Sequence, residues 1–117
     1  MGLKRGEFIT HRVLEGAPVS AESGPPTATR GFLQTSGYES AFYGVRLAGG
    51  TAPTATLTVY AKDGTEWFKI GTTSALANGE TENFECFHLT TFALVTAVTG
   101  NPTRVEVKAA PGALVGG

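Results

Sequence analysis

The chain has 117 residues, a formal net charge of −1 and only 16% charged side chains, which fits one domain of ordinary size. So few and so nearly balanced charges exclude a basic module that grips a polyanion, and they exclude a highly charged disordered tail. Seventeen threonines and 16 glycines against a single methionine favour strands and turns over helices.

Two parts follow one another: an irregular arm and loop over residues 1–40, then a periodic part over 41–117 that ends in a short Gly/Ala/Pro-rich tail. Residues 6–13 (GEFITHRV) alternate well enough for a strand. The run LEGAPVSAESGPPTATRG behind them contains Pro18, Gly24, Pro25 and Pro26, which interrupt any ladder or helix. An arm that becomes ordered on a neighbour is the reading that gives so long an irregular stretch a use; a loop folded over its own domain and a flexible linker are the alternatives. On the first reading Phe8, Ile9 and Val13 anchor the arm outside its own domain, for instance by adding a strand to a neighbour's open edge. Lys4, Arg5 and Arg12 then meet acidic groups on the partner.

From residue 41 the apolar period is two. In 41–48, Ala41, Tyr43, Val45 and Leu47 share a face, with Phe42 and Arg46 opposite. In 54–62, Ala55, Leu57, Val59 and Ala61 oppose Thr54, Thr56, Thr58, Tyr60 and Lys62, a strand with one face on a core and one on water. Asp63-Gly64 signals a tight hairpin into 66–70. Asn78-Gly79 is a second turn signal, leading into 81–88. Residues 92–98 are apolar on both faces, which suits a strand near the middle of a sheet. Gly100-Asn101-Pro102 turns the chain into 103–109, where Val105 and Val107 alternate with Arg104, Glu106 and Lys108. These elements predict an all-β fold, an antiparallel β-sandwich or jelly roll with an extended N-terminal arm, a small closed barrel being the alternative. Leu57, Val59, Leu94, Val105 and Val107 are expected in the interior.

The inventory of reactive groups is short. Cys86 and His88 share a face if their strand is regular, but no third group orients them, and Phe84 beside them marks a core face. Asp63, the only aspartate, is used by the turn. Glu80, Glu82 and Glu85 form an acidic group around Asn83, yet Glu82 and Glu85 point to opposite faces of a strand, so they suit a solvated sheet edge. Trp67, Phe68 and Tyr60 can make an aromatic platform for a sugar, although one of Trp67 and Phe68 must face inwards. No nucleophile elbow, metalloprotease motif or phosphate loop is present. No catalytic, cofactor-binding or metal residue is therefore assigned, and no cofactor is implied. A single cysteine excludes an intramolecular disulfide. The charges at Lys4, Arg5, Glu7 and Arg12 break any apolar signal core, and residues 89–98, the most apolar stretch, are about half a membrane span, so synthesis in the cytoplasm as a soluble protein is expected.

The segments VRLAGGTAPTATLTVYAKDGTEWFKI and LANGETENFECFHLTTFALVTAVTGNPTRVEVKAAPGAL resemble small virion accessory proteins of tailed bacteriophages, the head-decoration or cement type. The resemblance spans about residues 40–114. It is carried by Gly/Thr/Ala-rich strands, a DG hairpin, a two-faced apolar strand and a short tail, and not by a diagnostic motif. It implies a non-enzymatic structural protein on the capsid surface of the virion, bound to the major capsid protein or other virion proteins. It also implies a homo-oligomer, commonly a trimer, whose terminal arms clamp neighbours, without nucleic acid or membrane as partner. A tail, collar or head–tail connector component is the alternative within that class. A carbohydrate- or protein-binding β-sandwich module is the alternative outside it.

Overall fold

The computed structural model describes residues 8–27, 32–34 and 38–112. Among them are seven strands and no helix: β1 (Ile9–Glu15), β2 (Ser40–Ala48), β3 (Thr54–Asp63), β4 (Glu66–Thr72), β5 (Thr81–Glu85), β6 (Thr91–Thr99) and β7 (Arg104–Pro111). They pair antiparallel into two sheets, β1-β7-β2-β5 and β4-β3-β6, stacked as a sandwich. The all-β, two-sheet architecture expected from the alternation is the one observed.

Alternation places the core. Tyr43, Val45 and Leu47 of β2 and Val105 and Val107 of β7 face Leu57 and Val59 of β3 and Ala93 and Val95 of β6 across the sandwich. Burying side chains of this size stabilises the fold by about 1.5–3 kcal/mol each. Threonines fill the opposite face of the second sheet, where the Thr58 hydroxyl lies 3.2 Å from that of Thr72 and 3.0 Å from that of Thr96.

Several elements differ from the sequence reading. The β3–β4 loop is Gly64-Thr65, flanked by the pair Asp63↔Glu66, and Gly64 has φ 65°, the pattern of a type II′ turn one residue later than expected. β5 stops at Glu85 because Cys86 sinks into the core, where its thiol donates to the Tyr38 carbonyl at 3.4 Å. Phe87 and His88 then take φ 54° and 63°, and the Leu89 N–H closes the turn on the Cys86 carbonyl at 2.9 Å. Cys86 and His88 therefore do not share a strand face: one is buried and the other exposed.

β6 is an end strand, not a central one. Its second apolar face is covered from outside the sandwich. Leu94, only 6% exposed, sits opposite Thr58 on that outer face. Phe92 there packs against Phe32 and Trp67. The Pro/Gly-rich segment after β1, here termed the strap, runs along the free edge of β6, where Glu22 bonds to Val95, and buries Val19 in the core between the sheets.

The largest correction concerns the arm. Ile9–Glu15 does not extend away from its domain but forms the end strand of its own first sheet, paired with β7 from Ile9↔Ala109 to Glu15↔Arg104. β7 alternates cleanly and offers a full row of ladder groups, so the nearest partner for an apolar strand is the chain's own edge. The sandwich thus includes residues from both parts of the chain.

Candidate assembly interface

The first seven residues of the chain, with Lys4 and Arg5, lie outside the described residues. The remaining four candidate contacts, Phe8, Ile9, Arg12 and Val13, divide into two groups with different roles.

Arg12 is an internal clamp. A bulge in the β1–β7 pairing between Thr10 and Arg12 turns His11 inwards and aims Arg12 at β6. Its guanidinium forms a fork with Glu22 of the strap, Nη1 to Oε1 at 2.7 Å and Nη2 to Oε2 at 2.6 Å. Nη1 also donates to the Ala93 carbonyl at 3.0 Å, and the guanidinium carbon lies 4.8 Å from the centre of the Phe92 ring. Glu22 Oε1 in turn accepts the Val95 N–H at 2.9 Å, while the Glu22 N–H donates to the Val95 carbonyl at 2.6 Å. Burial alone would raise the Glu22 pKa, but hydrogen bonds from Arg12 and Val95 and the Arg12 charge outweigh it and hold the carboxyl below its ordinary value. The expected contact of Arg12 with an acidic partner is thus made within the chain.

His11 completes this clamp. It is buried between Tyr43 and Phe92, with ring centroids 5.4 and 5.2 Å away in edge geometry, and its Nε2 faces the Ala93 N–H at 3.5 Å. Desolvation, then the neighbouring Arg12 charge, pushes its pKa down to about 4, so it is neutral at pH 7. Along β6, Leu33 exchanges two backbone hydrogen bonds with Thr91, each of 3.0 Å. The outward groups of Thr91, Ala93 and Val95 are all satisfied, and that edge is closed to further strands.

β1 is the contrasting edge. It has β7 on one side and no strand on the other among the described residues. Ile9 is 50% exposed and Val13 44%. The charges on β1 are engaged: Arg12 by Glu22, and Glu15 by an ion pair with Arg104. An end strand whose charges are tied back and whose free side chains are apolar lacks the usual protection against strand addition.

Half-buried Phe8 helps line a depression of about 200 Å³ on the outer face of the first sheet, with Gly44, Val45, Arg46, Gly79, Thr81 and Lys108. Gly44 opens it. A Cβ there would come within 2.5 Å of the Thr81 methyl and 2.7 Å of the Glu80 carbonyl oxygen, so the chain can cross only over glycine. The Asn78-Gly79 turn is docked beside it: Leu47 N–H donates to Asn78 Oδ1 and Gly79 N–H to the Val45 carbonyl, both at 2.9 Å.

The discounted sites resolve into structural roles. Glu82 accepts the Ser74 N–H at 2.9 Å and its hydroxyl at 2.7 Å, and Glu80 accepts the Ala77 N–H at 2.8 Å. Among the described residues no group of three or more His, Cys, Asp or Glu is arranged to hold a metal ion. Trp67 packs against Phe32 at 5.2 Å and Phe92 at 6.0 Å, with the Lys62 ammonium 5.6 Å from its ring, so it fastens the covering segment to the second sheet. Sequence reasoning missed two features. One is Glu22, hidden in an irregular run. The other is the turn at Phe87, which is 61% exposed and held by two consecutive left-handed residues that lack the Asn or Gly signal of such turns. Each non-glycine residue there costs roughly 1–3 kcal/mol.

No protein-family model matches the chain, and no curated protein sequence matches it. Its structure is similar to the crystal structure of the SPBc2 prophage-derived protein YomS, with a TM-score of 0.49 and 16% sequence identity. The match covers 94% of this chain and 98% of the other.

Proposed function

We propose that this chain is a non-enzymatic structural protein of a tailed-bacteriophage virion, a head-decoration (cement) protein that binds the capsid surface as a homo-oligomer, a trimer by family resemblance. The observation that carries the reading is the open edge of β1, with Ile9 and Val13 exposed on a strand whose charges are engaged within the chain. Such an edge offers main-chain hydrogen bonds to a strand of the major capsid protein and apolar anchors on either side of the bulge. The near-neutral net charge supports dense packing of copies on a lattice. A tail, collar or connector role would use the same edge at a different copy number. The carbohydrate-binding alternative loses support from Trp67, whose ring is engaged by Phe32 and Phe92.

Purified protein added to capsids stripped of accessory proteins tests the reading. Wild-type protein is expected to bind at many copies per shell. The Ile9→Lys/Val13→Lys variant is expected to fold and to bind at least tenfold more weakly. Undiminished decoration by that variant contradicts docking through β1. No decoration by the wild type, with saturation as a single ring on heads or tails, moves the protein to the connector or tail role.

A further inference from the structure

The turn after β5 and the depression on the outer face of the first sheet are chemically matched, and we propose that they join copies of this chain head to tail, with Phe87 of one copy seated in the depression of the next. This inference rests on the homo-oligomer reading above and names the surface that would make it. The knob is Phe87, 61% exposed on a turn whose two central residues both have left-handed φ, so the ring is held out from the sheet by backbone that leaves little freedom. The depression, at about 200 Å³, is smaller than the roughly 300–1,000 Å³ of ordinary ligand pockets and fits a single large side chain. Its lining is more apolar than polar, and Phe8 is the aromatic residue in it.

Charge selects a second copy as the occupant. The knob is flanked by Glu85 at the end of β5 and by Glu39, whose carbonyl accepts the Cys86 N–H. Both acids are exposed, and neither enters an ion pair among the described residues. The depression is rimmed by Arg46, which is exposed and makes no ion pair among the described residues, and by Lys108, whose ammonium donates to the Thr10 hydroxyl at 2.7 Å. Nearby acids are engaged: Glu106 by Arg104 at 3.0 Å and Glu80 by the Ala77 N–H. An acidic knob thus faces a basic socket. Within one chain they cannot meet, because Glu85 pairs with Ser40 while Arg46 lies six residues further along the same strand, about 20 Å away. Different surfaces on each side make the contact heterologous, the kind that closes into rings such as trimers.

Sedimentation equilibrium of the full chain tests this with Phe87→Ser, which removes the knob, and Arg46→Glu, which spoils the socket. Both positions are exposed, so folding is checked by an unchanged β-sheet circular dichroism spectrum and melting curve. Wild-type mass is expected to rise with concentration to a closed oligomer. Each variant alone is expected to associate about thirtyfold or more weakly, the scale of a central aromatic anchor. An equimolar mixture of the two is expected to form a heterodimer that grows no further, since one sound knob and one sound socket remain. A wild-type mass that stays monomeric overturns the inference. So does an unchanged oligomer in Phe87→Ser, or a mixture in which no heterodimer forms. Capsid binding through β1 is measured separately with Phe87→Ser, so loss of self-association with retained attachment sinks neither reading, whereas attachment without any wild-type self-association sinks this inference together with the homo-oligomer part of the proposed function and leaves docking through β1 standing.

Discussion

β6 and β1 are end strands of opposite sheets, and the chain treats them in opposite ways. The outward groups of β6 are met one after another by Leu33, His11, Arg12 and Glu22, three of these residues using side chains where another strand would use backbone. β1 supplies two of those side chains while its own outer edge meets no strand among the described residues, with Ile9 and Val13 exposed. The other ends are guarded differently. β5 is five residues long and rich in glutamate, and β4 sets exposed Glu66 and Lys69 around exposed Phe68. The same strand that closes one edge is therefore the one proposed to dock a partner, and edge closure and the proposed docking can be separated by mutation.

The largest expected effect follows from breaking the closed edge. Glu22→Ala leaves a partly buried Arg12 without its counter-ion and the Val95 N–H without an acceptor, a loss of about 3 kcal/mol in urea unfolding. A loss within error would show that strap and edge are held by apolar packing alone.

Acid should weaken the same edge by a comparable amount. An unfolded histidine takes up its proton near pH 6.5, whereas buried His11 resists until about 4, so between those values the unfolded state binds more protons and stability falls as pH falls. The gap corresponds to roughly 3 kcal/mol, fully lost below pH 4. Below the ordinary carboxylate range protonation of Glu22, whose pKa is lowered in the folded state, adds to the loss. Stability measured from pH 7 to 4 should show this slope, and His11→Asn should flatten it whatever its overall stability.

Much of the sandwich was legible because alternation is a local signal: β2, β3 and β7 display it over whole strands, and Leu57, Val59, Val105 and Val107 are buried as that pattern requires. Where the strands go was less so. Two-faced β6 looks central because the residues that close its edge come from positions 11–33, far back in the chain, and most of that stretch reads as loop. Arg12 reads equally well as a partner contact or an internal clamp until Glu22 is seen beside it. The turn at Phe87 carries no glycine or asparagine, so the apolar alternation of 84–88 continues through it on paper.

At the open edge the expected effect on stability is the smallest. Ile9→Lys with Val13→Lys should change unfolding free energy by no more than about 0.5 kcal/mol, because about half of each residue is in water already and a lysine stem can cover the rest. A large loss would mean that these residues cover their own sheet.

The contrast between a closed and an open edge is tested most directly by hydrogen–deuterium exchange of the protein free and bound to stripped capsids. Residues 9–15 are expected to exchange markedly more slowly on the particle, while Ala93 and Val95 are protected in both states. Unchanged exchange over 9–15 in bound protein, with new protection elsewhere, would contradict docking through β1.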